Sequence, residues 1–298
     1  MTILLTGATG FLGSHLLEGL LEKNYKVIIL KRSFSNCWRI EEFLSQVTSY
    51  DIDQVSLESV FEENSINAVI HTATCYGRNG ETNLEIFNSN VSFSMQLLEY
   101  ARIYRVDSFF NTDTFFNTES FKYDYLNSYT LSKKHFVDWG KNYCSSCDVQ
   151  FINMKLQHVY GPKDDESKFV SWFIKQLKEE VPEIKLTAGT QKRDFIYVKD
   201  VVESYLVLLL NNKELQSYEE FEVGTGDSIE VKDFLLQIVN AFERKTSTAI
   251  KSKLLFGALP MREGEPMFVK ANNEKLLKYC FLQNRNWKST NSISSIFE

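Results

Sequence analysis

Three glycines near the start of the chain constrain its fold more than anything else in it. Gly7, Gly10 and Gly13 lie in Thr6-Gly7-Ala8-Thr9-Gly10-Phe11-Leu12-Gly13. A short apolar run, Ile3–Thr6, precedes them. An amphipathic pattern over Phe11–Lys23 follows, with Leu12, Leu16, Leu20 and Leu21 on one face. Strand, glycine turn and helix in that order let a backbone approach a pyrophosphate closely, and the helix N-terminus then offers unpaired N–H groups and positive potential to it. The spacing is Gly-x-x-Gly-x-x-Gly, which by itself is a weak signal. Between a strand and a helix it becomes a strong one.

The second strand, Tyr25–Leu30, runs into Lys31 and Arg32. An NAD enzyme usually carries an acid there to bind the adenosine ribose. Two cations attract a 2′-phosphate instead, so the strand end points to NADP(H). Further along, Asp51-Ile52 precedes a helical pattern at Gln54–Glu63. Asp51 either contacts the adenine or caps that helix.

Strand-like and helix-like stretches then alternate. Strands are expected at Ala68–His71, Ser108–Thr112 and Val149–Leu156, and helices at Ile86–Tyr104 and Leu126–Tyr143. This is the pattern of an α/β protein with a Rossmann, doubly wound parallel sheet. Past Gly161-Pro162 it loosens. The expected organisation is a dinucleotide-binding domain over 1–158 and a smaller, mainly substrate-binding region over 159–298. Parts of 186–225 should return to the first sheet.

Composition narrows the function classes. A net charge of -6 gives no electrostatic case for nucleic acid. No run of about eighteen apolar residues suggests a membrane span, and the N-terminus lacks the look of a signal peptide. Five scattered cysteines suit reduced thiols and a cytoplasmic protein. Cys144-x-x-Cys147 has no second pair and reads as a surface turn rather than a redox or zinc pair. His15, His71, His135 and His158 lack metal-ligand spacing, so no metal site is expected.

The catalytic signal is Tyr129-x-x-x-Lys133 on an expected helix, four residues apart and hence on one face. A phenol titrates near 10; a neighbouring ammonium and a nicotinamide ring would make it a usable acid–base group. At the edge of the preceding strand, the hydroxyl of Thr112 is the candidate for holding the reacting oxygen.

Together these motifs, with His158-Val159-Tyr160-Gly161-Pro162, Arg193-Asp194-Phe195-Ile196-Tyr197-Val198 and Val223-Gly224-Thr225-Gly226, resemble the NAD-dependent epimerase/dehydratase family. These are extended short-chain dehydrogenases acting on nucleotide sugars. The segments Asn111–Phe116, Asn153–Pro162, Gln191–Phe195 and Phe256–Asn273 resemble in particular the members that reduce CDP-4-keto-3,6-dideoxy-D-glucose with NADPH. The resemblance implies catalytic roles for Thr112, Tyr129 and Lys133. It implies cofactor contacts from Gly7, Thr9, Gly10, Phe11, Leu12, Gly13, Lys31, Arg32, Asp51, Ile52, Thr72, Ala73 and Thr74, as well as from Tyr129 and Lys133. Substrate contacts are implied for Tyr76, Asp113, Thr114, His158, Lys168 and Phe169, with Arg193 and Arg262 on the diphosphate. A homodimer is implied too, through the two long helices, where Leu97, Leu98 and Ala101 face either the partner or the core. One departure counts against dehydration: the family's 4,6-dehydratases carry Asp-Glu after the catalytic hydroxyl, and here Asp113 is followed by Thr114. A 4-epimerase, a reductase of a dTDP-linked 4-keto-6-deoxy sugar, or a non-catalytic NADP sensor are the competing readings.

Overall fold

The computed structural model describes residues 1–117, 126–146, 148–281 and 293–297. Cys147 lies outside the described residues. Strands are β1 (Thr2–Thr6), β2 (Lys26–Lys31), β3 (Thr48–Asp51), β4 (Ala68–His71), β5 (Ser108–Thr114) and β6 (Gln150–Leu156). Then come β7 (His158–Tyr160), β8 (Glu183–Leu186), β9 (Lys192–Arg193), β10 (Phe195–Tyr197), β11 (Tyr218–Val223), β12 (Ile229–Glu230) and β13 (Lys253–Phe256). Helices are α1 (Phe11–Glu22), α2 (Leu57–Glu63), α3 (Asn83–Phe87), α4 (Phe93–Ile103) and α5 (Asn127–Cys144). The remaining four are α6 (Phe169–Lys178), α7 (Val198–Leu210), α8 (Val231–Thr246) and α9 (Glu274–Phe281).

Two compact units divide the chain. The first comprises Met1–Leu156 with Val202–Glu222, the second Gln157–Val201 with Val223–Glu298. A seven-stranded sheet in the order β11-β6-β5-β4-β1-β2-β3 organises the first unit. From β6 to β3 the neighbouring strands pair in parallel. This is a Rossmann-like doubly wound sheet. Its order reverses between β1 and β4, and ligands of such sheets bind beyond the carboxyl ends of the strands at that reversal.

Burial explains why these segments became strands and helices. Ile3, Leu4, Leu5, Ile28, Ile29, Val69 and Ile70 are almost wholly buried, as strands covered on both faces require. Between β5, β6 and α5 the core is aromatic: Phe109 stacks on Phe151 with centroids 5.7 Å apart, and Phe136 meets both edge-on. Leu97, Leu98 and Ala101 are completely buried and belong to this same core. They therefore do not face a partner.

Helix starts differ from the sequence expectation because caps, not apolar periodicity, set them. Ser56 caps α2, its Oγ accepting from Ser59 N at 3.1 Å; Asp51, six residues before the helix, is not the cap. The long helix begins at Asn83 because Thr82 and Glu85 form a reciprocal capping box. It runs through a wide π-type turn at Asn88–Ser92 into α4.

The second unit holds three two-stranded pairings: β7 with β10 in parallel, β8 with β13 in parallel, and β9 with β12 antiparallel. Strands of two or three residues carry no readable alternation, which is why β7, β9, β10 and β12 have no counterpart in the sequence expectation.

A test of the aromatic core follows from Gly140 on α5. A Cβ there would meet the Phe151 ring at 2.4 Å. Although alanine favours a helix over glycine, Gly140→Ala should lower stability by about 1–3 kcal/mol through overpacking. Urea unfolding checks this, and adding Phe151→Leu should recover part of the loss. A more stable Gly140→Ala protein would refute the packing account.

Candidate active site

The glycine turn closes β1 onto α1. Gly7 sits at φ 72°, and a Cβ on it would lie 2.6 Å from both Ala73 N and Thr72 Oγ1. On Gly13 a Cβ would fall 2.0 Å from the Gly7 carbonyl oxygen. Gly10 N donates to that same oxygen at 2.9 Å. No side chain caps α1 at Gly10, which leaves the N–H groups of Phe11, Leu12 and Gly13 and the positive end of the helix to an anion. Thr72 Oγ1 donates to Thr6 O at 2.7 Å and Ala73 N to Thr6 Oγ1 at 3.3 Å, pinning the end of β4 beside the turn. The turn fits a dinucleotide pyrophosphate, because its close packing admits no side chain at Gly7 or Gly13 and brings the uncapped start of α1 up to the end of β1.

At the end of β2 the charges differ from the sequence reading. Lys31 and Asp51 are partners across the β2–β3 register and form an ion pair. Lys31 is thus committed to an acid. Arg32 is exposed, its guanidinium 4.8 Å from the Phe34 ring centroid. A second guanidinium went unnoticed in the sequence. Arg39 lies 4.5 Å from the Trp38 ring centroid and donates to Thr9 O on the glycine turn at 3.3 Å. The Trp38-Arg39 pair was the available signal, masked because it stands seven residues beyond the strand end.

Tyr129, Lys133 and the end of β5 form a buried corner. Lys133 is 2% exposed, and burial pulls its ammonium down to about 8 against the opposing influence of Asp113. Burial, then Tyr76 and Asp113, hold the Tyr129 phenol well above its usual range, so it is neutral near pH 7. The Tyr76 ring packs on it with centroids 4.9 Å apart.

The two hydroxyls near the end of β5 have different partners. Thr112 Oγ1 bonds Tyr205 OH of α7 at 2.7 Å. The Thr114 hydroxyl neighbours the Tyr129 phenol and favours its ionised form. Both threonines share one strand face. Thr112 lies on the face that Phe110 shows to Tyr205, whereas Thr114 is the last residue of β5, where Tyr129 reaches it. Asp113 lies between them on the opposite face of the strand. It is 3% exposed and accepts from Asn153 Nδ2 at 2.9 Å and Asn117 Nδ2 at 2.8 Å.

Asn90, in the wide turn, is a further member that the sequence reading missed. Its Nδ2 donates to Ser132 Oγ at 2.9 Å and Cys75 O at 2.8 Å, and its Oδ1 accepts from Cys75 N at 2.7 Å and Thr74 Oγ1 at 3.2 Å. It locks the Thr74–Tyr76 loop onto α5 next to Tyr129. A polar residue on the buried face of an apolar helix was the signal.

In the second unit, Arg193 is 4% exposed and ion-pairs with Glu265. Burial, then Arg193, depress the His158 imidazole to about 3, so these two predicted residues are neighbours. Asp194 organises the loops around them, accepting from Thr225 N, Gly226 N and Ala271 N at 2.8, 3.0 and 3.2 Å. Arg262 is exposed and shares the Glu265 segment, its carbonyl accepting from Glu265 N at 3.3 Å. Lys168 is the residue before α6, and Phe169 is exposed, stacked on Trp172 with centroids 6.4 Å apart.

The model of the NAD dependent epimerase/dehydratase family matches residues 3–224. The chain belongs to that family. It is 37% identical over 288 residues to a CDP-abequose synthase of Salmonella typhimurium, covering 96% of this chain and 94% of the relative. A CDP-abequose synthase of Salmonella muenchen is 38% identical over 292 residues, covering 98% and 94%. Among solved structures of the family's fold, a UDP-N-acetylglucosamine 4-epimerase from Methanobrevibacter ruminantium superposes with a TM-score of 0.81 at 20% identity, covering 99% of this chain and 96% of that one. The glycine turn, Tyr129 and Lys133 all fall inside the segment matched by the family model.

His71 gives this corner a pH signature. It is completely buried, with Nδ1 2.7 Å from Thr6 Oγ1 and Nε2 2.7 Å from Ser94 Oγ. Burial, then the Lys133 charge, depress it to about 3 from an ordinary 6.5. Below the unfolded value the unfolded chain takes up a proton that the folded chain refuses. The stabilisation is therefore present above about 6.5 and lost as pH falls toward about 3. Urea unfolding should show stability falling by about 1.4 kcal/mol per pH unit from this group in that window, and His71→Gln should flatten the slope. An unchanged slope in the variant would assign the acid sensitivity elsewhere.

Proposed function

We propose that this chain is an NADPH-dependent reductase of the 4-keto group of a nucleotide-activated deoxy sugar, with CDP-4-keto-3,6-dideoxy-D-glucose as substrate and CDP-abequose as product. The observation that carries the reading is the buried corner of Tyr129, Lys133 and Thr114, in a chain that aligns with CDP-abequose synthases over nearly its full length.

A bound reduced nicotinamide supplies a hydride; the residues do the rest. Burial keeps Tyr129 neutral, the form a reductase needs to protonate the oxygen developing charge at carbon 4. Thr114 takes the role first read onto Thr112, holding that oxygen by a hydrogen bond. Lys133 offsets the phenolate left behind. With Thr114 as the hydroxyl, the residues after it are Phe115 and Phe116, so both acids that the family's dehydratases place there are missing. Reduction remains as the simplest chemistry of the corner.

For the cofactor we assign the pyrophosphate to the Gly7–Gly13 turn and the 2′-phosphate to Arg32 and Arg39, because Lys31 is neutralised by Asp51. In the second unit we assign Arg193 and Arg262 to the diphosphate of the sugar nucleotide. We further propose a homodimer through exposed Phe87, Ile103, Leu131 and Trp139 on the long helices, and a reducing, cytoplasmic setting consistent with five cysteines scattered along the chain. No helix among the described residues is long and apolar enough to cross a membrane.

The deciding experiment follows NADPH oxidation with CDP- and dTDP-linked 4-keto sugars, with product stereochemistry read by NMR. One NADPH should be consumed per CDP-abequose formed; sugar conversion without net oxidation would make the chain an epimerase. Tyr129→Phe should lower kcat by about 2 to 4 powers of ten while dinucleotide binding persists. Thr114→Val should lower kcat more than Thr112→Val, and the reverse order would return the role to Thr112. In calorimetry, Arg39→Gln and Arg32→Asp should each weaken NADPH more than NADH, and Lys31→Met should leave the preference standing. Equal affinities in the unmutated protein would sink the cofactor assignment.

A further inference from the structure

Asp113 is a buried acid that the proposed reduction leaves unused. Its carboxyl accepts from the Asn153 and Asn117 side chains. Asn111 Nδ2 donates to Asn153 Oδ1 at 2.8 Å, which fixes that amide so that its NH2 faces the acid. Both donors to the acid meet its Oδ2, while its Oδ1 is buried with no hydrogen-bond partner among the described residues, and a carboxylate this deeply buried requires a counter-charge. Lys155 is committed elsewhere, its Nζ 2.9 Å from Glu220 Oε1. Lys133 is differently placed. Phe109 of β5 meets Phe136 of α5 with centroids 5.8 Å apart. Asp113 shares the strand face of Phe109, and Lys133 lies one turn before Phe136 on the helix.

We infer that the Asp113 carboxylate is the fixed counter-ion that keeps Lys133 an ammonium, a positioning residue that acts through the lysine and not on the substrate. The inference rests on the reading of Lys133 as the working lysine of the proposed reductase.

The electrostatics agree in direction. Burial raises the Asp113 carboxyl above its ordinary value, Lys133 is the foremost influence opposing that rise, and Asp113 in turn opposes the burial that drags Lys133 down to about 8. The other groups around the pair do not titrate near neutrality. Tyr129 on α5, Tyr205 on α7 and Tyr218 on β11 are all raised by burial, and His71 on β4 stays neutral above about 3. Glu220 on β11 is lowered and paired with Lys155 of β6. Loss of Asp113 therefore makes Lys133 shed its proton at lower pH.

Asp113→Asn tests this, since the amide keeps the shape and an acceptor for Asn153 and Asn117. Two profiles are measured across neutral to alkaline pH: kcat/KM, and the affinity for NADPH read by nicotinamide fluorescence. The alkaline limb should move acid-ward, with a loss of about five- to tenfold near pH 8 once each profile is normalised to its own value near pH 6. Normalised profiles that superimpose, a uniform loss at every pH included, would overturn the inference in favour of a packing role. If Asp113→Asn is too unstable to assay, Asn117→Ala should move the same limb in the same direction by less. A double-mutant cycle adds a readout without substrate. In urea unfolding, Asp113→Asn combined with Lys133→Met should be more stable than either single variant, because each single leaves one buried charge unpartnered. Additive losses would also overturn the pairing. Should the ketoreductase reading fail, NADPH oxidation is absent while the cycle stays non-additive, so the two failures are distinguishable.

Discussion

The space that a side chain on Gly13 would need is already held by the carbonyl of Gly7. This contact sets how closely α1 can lie against the end of β1, and the first unit is arranged around it. Gly10 bonds the same carbonyl, so the turn is tied at two points. Thr6, the last residue of β1, uses its carbonyl and its hydroxyl to fasten Thr72 and Ala73 of the neighbouring strand end. Its hydroxyl also meets His71, which reaches Ser94 in the next helix. A chain of close polar contacts thus runs from the glycine turn to the helix that carries Asn90. The polar groups are concentrated where the sheet order reverses, and the interior beneath them is apolar.

The buried corner solves an electrostatic problem by division of labour. Low-dielectric surroundings disfavour every charge, yet a lysine and an aspartate both lie there. The amides of Asn153 and Asn117 stabilise the acid, and Glu220 occupies Lys155. Neutral groups fill the remaining positions: a depressed imidazole at His71 and raised phenols at Tyr129 and Tyr205. The result is a site in which few groups change charge between neutral and mildly alkaline pH.

Features encoded within one or two turns of chain were legible in the sequence. Gly7–Gly13 and Tyr129–Lys133 could be placed because a turn and a helix face each fix geometry over a few residues. The choice between Thr112 and Thr114 could not be made, since both lie on the same strand face and only the point where β5 ends distinguishes them. Asp51 showed the same limitation. Its partner Lys31 stands opposite in a strand register, and registers between separate segments leave no local trace. Arg39 reaches the glycine turn through a loop between β2 and β3, where neither period applies. The cap at Ser56 was overlooked because Asp51 offered a cap residue earlier in the chain.

The wide turn at Asn88–Ser92 has a rotational consequence. An ordinary α-helix advances about 100° per residue, so the facing of every residue is set by the first. Phe93 N bonds Asn88 O, five residues back, and the ladder absorbs one residue more than a regular turn. Downstream of it Leu97, Leu98 and Ala101 point into the core; upstream Ile86 is buried under its own neighbours. One continuous helix therefore runs with two angular phases, and Asn90 sits at the joint between them. A deletion of one residue here would regularise the hydrogen bonding and at the same time swing the whole of α4 by about a quarter turn. The irregularity is the gearing that lets the same rod serve a hydrophobic interior along one stretch and a polar loop along another.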